Sequence, residues 1–229
     1  MSILQSAVEN KWSKACLIVG GCAVVGLSAY KFFSYYQKKN RLVDEGFEEI
    51  PVVDDSVKKI VVLGLKGTGK STFISQLSKT PDNNKILRQG RINGLSILSL
   101  QCGSGMILNF AEMAGSESIR IYWSNLLQDT DLLIYLVDST DEHRLADSVK
   151  ELRIVTACDK LRNLRIIILA NKQDLQNAAS PKEVEAAFGI PELSNRIEVF
   201  PLEMPPDVDG IDQSLLKVKN TVIMTCMNK

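Results

Sequence analysis

From Lys58 onward, apolar runs alternate with amphipathic ones. The runs at 60–63, Leu95–Gln101, 106–111, Leu132–Asp138, 165–170 and 198–202 are short, apolar and bounded by turn residues, so they read as strands. Residues 71–79, 119–128, 142–158, 181–188 and 211–224 carry helical patterns between them. The runs on either side of Cys102-Gly103-Ser104-Gly105 read as a hairpin. This order predicts an α/β domain with a mostly parallel six-stranded sheet, one antiparallel strand, and helices on both faces.

Before this domain the pattern changes. Residues 15–30 carry no charge, and the apolar and aromatic character continues through Phe32, Phe33, Tyr35 and Tyr36. A helix over 15–36 is about 33 Å long, the thickness of a bilayer core. A cleaved signal peptide and a buried helix are competing readings. However, the aromatic and basic residues that follow do not resemble a small-residue cleavage site, and no amphipathic face is visible. The expected organisation is a tail (1–14), a transmembrane signal anchor (15–36), an acidic tether (37–57) and a globular domain (58–229). Lys31, Lys38, Lys39 and Arg41 outnumber Lys11 and Lys14, so the domain is expected on the cytosolic side. A short span with basic flanks suits a thin membrane, either endoplasmic reticulum or mitochondrial outer membrane.

Composition narrows the chemistry. Formal net charge is zero, which argues against a nucleic-acid binder. Five scattered cysteines without C-x-x-C spacing argue against a disulfide framework or a zinc site. His143 is the single histidine, so mechanisms that need two are excluded.

The stretch Gly64, Leu65, Lys66, Gly67, Thr68, Gly69, Lys70, Ser71, followed by Thr72, fits G-x-x-x-x-G-K-[ST] between a strand and a helix. Glycines let the backbone close around an anion, and the helix start adds its positive end. In this motif Lys70 would reach the β- and γ-phosphates and Ser71 would ligate Mg²⁺. Asn171-Lys172-Gln173-Asp174 follows the apolar strand at 165–170, at the sheet end where such folds bind ligands. The Asp174 carboxylate can accept from both guanine N1–H and the 2-amino group, a pair adenine lacks. Lys172 can pack its stem along the base, and Asn171 can tie this loop to the phosphate loop. GTP or GDP, with Mg²⁺, is the expected ligand.

Together with Leu132–Asp138, Ser139-Thr140-Asp141, Arg144-Leu145 and Ile119-Arg120-Ile121-Tyr122-Trp123, these motifs resemble the ADP-ribosylation-factor (Arf) branch of small GTPases. The N-terminal span and Glu112-Met113-Ala114-Gly115-Ser116 look most like its membrane-anchored Arf-like members nine and ten. Ser2 excludes N-terminal myristate. The resemblance implies a P-loop small-GTPase fold that presents a cytosolic surface to protein effectors and to exchange or activating factors. It also implies roles in the second switch: Glu112 would hold Mg²⁺ through a water, and Gly115 would offer its N–H to the γ-phosphate. Ser116 stands where the family's glutamine positions the attacking water. The threonine of the first switch falls at Ile92 or Asn93. Lys66 replaces an aspartate and reads as a solvated lysine, Arg91 is a candidate for an arginine finger in cis, and Phe200-Pro201-Leu202-Glu203-Met204-Pro205-Pro206 lacks the family's guanine loop. The expected protein binds GTP and GDP and hydrolyses GTP slowly or not at all. The alternatives are a GTPase with a non-standard mechanism assisted by a partner protein, and a nucleotide-binding pseudo-GTPase acting as a membrane-tethered interaction module.

Overall fold

The computed structural model describes residues 56–80, 85–92, 94–103, 105–157, 161, 163–189, 195–205 and 212–227. These residues belong to one compact unit, Val52–Lys229. The expected anchor, its tail, nearly all of the tether, Asn93 and Pro206 lie outside the described residues. Among the described residues, no helix is long and apolar enough to cross a membrane.

The sheet is built outward from β1 (Val57–Leu63). On one side lie β4 (Ile107–Met113), β3 (Leu95–Gln101) and the edge strand β2 (Lys85–Ile92). On the other lie β5 (Leu132–Asp138), β6 (Arg165–Asn171) and β7 (Ile197–Leu202). The order is β2-β3-β4-β1-β5-β6-β7. Only β3 runs against its neighbours; the pairs β4–β1, β1–β5, β5–β6 and β6–β7 are parallel. The α/β architecture with one antiparallel strand is therefore as expected, but the sheet has seven strands, not six. The additional strand is β2. Its ladder to β3 runs from Lys85↔Gln101 to Ile92↔Leu95, with a register shift between Ile86 and Arg88.

Every residue of β5 is buried, as a central strand covered on both faces requires. Alternation assigns the faces. Ile134 and Leu136 join Phe73 and Leu77 of α1 (Lys70–Ser78) and Val218 and Val222 of α6 (Gln213–Met227) in one core. Tyr135 points the other way and meets Trp123 and Phe188 edge-on, with ring centroids 6.3 and 6.0 Å away. That second face is covered by α4 (Glu142–Thr156), α5 (Pro181–Ala187) and the short helix α3 (Trp123–Leu126), while the short helix α2 (Glu117–Arg120) buries no residue. The single helix expected over 119–128 is thus broken at Ile121–Tyr122.

Chain order reverses at β1: the chain passes to the β2–β4 side, then returns across to β5. A crevice at the carboxyl ends of strands beside such a switch point is where open α/β sheets bind ligands.

Candidate functional site

The phosphate loop leaves the carboxyl end of β1 and enters α1 through Gly69. Gly69 has φ +93, and a Cβ there would lie 2.3 Å from Asn171 Nδ2, so only glycine fits. The first helical hydrogen bond runs from Phe73 N to Gly69 O at 2.9 Å. The amides of Lys70, Ser71 and Thr72 therefore have no acceptor within the helix. No side chain caps this end and no acid lies in its first turn, which leaves it open to an anion.

Lys70 is buried, and its Nζ donates to Gly64 O at 2.9 Å and Leu65 O at 2.8 Å. Burial pushes its pKa down to about 8, against the opposing pull of Glu112. Thr68 is also buried, its hydroxyl donating to Leu65 O. Lys66 is exposed, as expected of a solvated lysine. Its carbonyl accepts from Arg144 at 2.8 Å, while Arg144 also pairs with Asp141, the residue that caps α4.

Ser71 Oγ donates to Glu112 Oε1 at 2.7 Å, which joins the phosphate loop to the end of β4. Glu112 is 3% exposed, and its other oxygen, Oε2, has no hydrogen-bond partner among the described residues. A hydroxyl beside a buried, half-satisfied carboxylate is an all-oxygen donor set that suits Mg²⁺. The site residues thus fit the cation the motif implies.

The segment after β4 rests on the phosphate loop. A Cβ on Gly115 would lie 2.2 Å from Gly64 O and 2.4 Å from the Leu65 carbonyl carbon. Trp123 Nε1 donates to Ala114 O at 3.2 Å, and Arg120 Nε to Gly115 O at 3.1 Å. Glu151 holds Arg120 from α4 at 2.9 Å. Ser116 stands at the start of α2 and its side chain makes no capping bond.

At the end of β6, Asn171 is buried and donates from Nδ2 to Thr68 O at 2.8 Å. Its Oδ1 has no partner among the described residues; the register sets apolar Leu202 opposite. Lys172 adopts φ +69, and its Nζ donates to Asp138 Oδ2 at 2.6 Å. Burial alone would raise the Asp138 pKa, but hydrogen bonds from Lys172 and Thr140 outweigh it and hold the carboxyl below its ordinary value. Asp174 is exposed and bonds no other described residue. Met204, after β7, comes within 3.3 Å of the position a Gly69 Cβ would take.

The fold therefore brings the phosphate loop, Glu112, Gly115 and the Asn171 loop to one end of the sheet. It does not bring Arg91 there: Arg91 is exposed in β2, opposite Ser96, with no bond to the phosphate loop. Sequence spacing gives no sign that Arg144 and Arg120 hold loop carbonyls, or that Asp138 orients Lys172. These contacts come from α4, α2 and β5, and only the tertiary fold creates them.

Residues 47–222 match the ADP-ribosylation factor family. The chain is 31% identical to ADP-ribosylation factor-like protein 10 of Mus musculus over 157 residues, covering 68% of this chain and 62% of the mouse protein. It is 33% identical to ADP-ribosylation factor-like protein 3 of Caenorhabditis elegans over 138 residues, covering 60% of this chain and 73% of the worm protein. It is 29% identical to ADP-ribosylation factor-like protein 4A of Homo sapiens over 168 residues, covering 72% and 82%. With the seven-stranded sheet and the phosphate loop that opens α1, these matches establish that the chain belongs to the ADP-ribosylation factor family of small GTPases.

Proposed function

We propose that the protein is a membrane-anchored Arf-like protein that binds GTP and GDP with Mg²⁺ and hydrolyses GTP slowly or not at all. The observation that carries this reading is the convergence of three elements at one sheet end: the open α1 N-terminus, the Ser71–Glu112 pair, and Asn171 bonded to Thr68.

In this reading the amides of residues 69–72 and Lys70 hold the phosphates. Asp174, exposed and unengaged, reads guanine. Lys172, fixed by Asp138, lays its stem along the base. Ser71 and Glu112 hold Mg²⁺, which when bound neutralises charge on the phosphate oxygens. Ser116 separates binding from hydrolysis, because a hydroxyl is too short to hold a water against the γ-phosphate. The apolar run at 15–36 supports the anchor, and the basic residues after it support a cytosolic domain. The endoplasmic reticulum and the mitochondrial outer membrane both suit the span. Effectors and regulators of the nucleotide state are the partners of this reading.

A second reading is a pseudo-GTPase, an interaction module whose nucleotide is structural. It is favoured by Gly115 lying against Gly64 and Leu65 and by Lys70 bonding both of their carbonyls. Titration of the full chain with GDP, GTP and ADP, with and without Mg²⁺, tests both. The first reading expects both guanine nucleotides to bind at least about 100-fold tighter than ADP. Equal affinity for ADP contradicts it, and GDP binding without measurable GTP binding selects the second.

A further inference from the structure

Glu112 is buried near the end of β4, and only one of its carboxylate oxygens is satisfied. Oε1 accepts from Ser71, while Oε2 has no partner among the described residues. No described lysine or arginine forms an ion pair with it; Lys70, nearby, gives its protons to the carbonyls of Gly64 and Leu65. A buried carboxylate without a cation is costly, so this position favours an occupant that brings positive charge.

The geometry also limits how that charge is met. Mg²⁺ binds oxygens octahedrally at about 2.1 Å, which puts neighbouring ligands about 3.0 Å apart. Ser71 Oγ and Glu112 Oε1 are separated by 2.7 Å. A glutamate carries its carboxylate about 1.5 Å further from the backbone than an aspartate would, one C–C bond. Of the two residues at the first-switch threonine position, Ile92 has no donor atom, and Asn93, whose amide oxygen could ligate, lies outside the described residues.

We propose that Glu112 binds the divalent cation directly, its carboxylate and the Ser71 hydroxyl occupying adjacent positions of the inner sphere. This goes beyond the water-mediated role expected from the family resemblance, and it rests on the nucleotide-binding reading above. The extra reach of glutamate lets the carboxylate take the inner-sphere position that a water would bridge from an aspartate. It also brings a formal negative charge onto the cation.

The test uses the full chain with GDP and Mn²⁺ as the probe. Line broadening of the Mn²⁺ resonance in ¹⁷O-enriched water counts the waters on the metal. With Ser71, Glu112 and one phosphate oxygen bound, about three waters remain; without Glu112 in the inner sphere, about four. The expected result is about three for the native chain and about four for Glu112→Asp. Glu112→Gln should weaken Mn²⁺ binding on the order of tenfold. The native count needs no variant, so it decides even if a substitution prevents folding. GDP and Mn²⁺ both held with about four waters overturns this inference alone. A chain that holds neither overturns the nucleotide reading with it.

Discussion

Asn171 Nδ2 donates to the Thr68 carbonyl at 2.8 Å, joining residues 103 positions apart. This bond is the direct link between the loop that would read the base and the loop that would hold the phosphates. Replacing Asn171 with alanine removes the donor and leaves a buried carbonyl unpaired. The expected cost is about 1–2 kcal/mol in urea unfolding. GDP dissociation should quicken on the order of tenfold. Stopped-flow release of a fluorescent GDP analogue measures it, and an unchanged rate would mean that the two loops are positioned independently.

Gly115 has no room for a side chain: a Cβ would lie 2.2 Å from Gly64 O. Gly115→Ala should force the segment after β4 off the phosphate loop at a cost of about 1–3 kcal/mol. Trp123 bonds the adjacent Ala114 carbonyl, so its emission reports the shift. A Trp12→Phe background isolates that signal. An unchanged Trp123 spectrum and unfolding midpoint would contradict the close packing.

Asp138 supplies a pH dependence with a definite sign. Its folded-state pKa lies below the ordinary value because the bonds from Lys172 and Thr140 outweigh burial. Its contribution to stability is therefore complete above the unfolded pKa of about 4 and is lost as pH falls through the lower folded value. Asp138→Asn should cost about 1–3 kcal/mol at pH 7. That difference should hold down to about pH 5 and shrink below pH 4. Urea midpoints of both chains from pH 7 to pH 3 check it; a difference that grows on acidification has the wrong sign.

Ser116 begins α2 with an uncommitted side chain. If its short hydroxyl is what limits hydrolysis, Ser116→Gln should raise single-turnover cleavage of bound GTP by at least about tenfold and leave GTP affinity nearly unchanged. An unchanged rate would shift the cause to the first switch or to a missing partner.

The buried parts of this fold were readable in the sequence because burial leaves a pattern. β1, β5 and β6 are near-continuous apolar runs, and the phosphate loop and Asn171 loop follow two of them. β2 left no such pattern. It is an edge strand, Lys-Ile-Leu-Arg-Gln-Gly-Arg-Ile, with Ile86 and Leu87 each 44% exposed, and its backbone ladder to β3 holds it in place of side-chain burial. The one local signal was Asn93-Gly94, a dipeptide suited to a tight hairpin, and Gly94 has φ +86. The helix expected over 119–128 failed for a different reason. Arg120 and Trp123 turn back to bond the carbonyls of Gly115 and Ala114, and Ile121 between them is 70% exposed. Tertiary bonds to the phosphate-loop side outweigh helical continuity there. The Ser71–Glu112 bond and the Asp138–Lys172 bridge each join separate strands or loops, so motif spacing named Ser71 and Lys172, and the family resemblance Glu112, but not how they are held.

The separation of binding from hydrolysis is tested most directly by loading the full chain with GTP labelled at the γ-phosphate and following release of labelled phosphate in a single turnover with Mg²⁺. The expected result is GTP that stays bound and is cleaved at or below about 10⁻⁴ s⁻¹. Cleavage at about 1 s⁻¹ or faster without a partner, or a chain that retains no GTP at all, would contradict it.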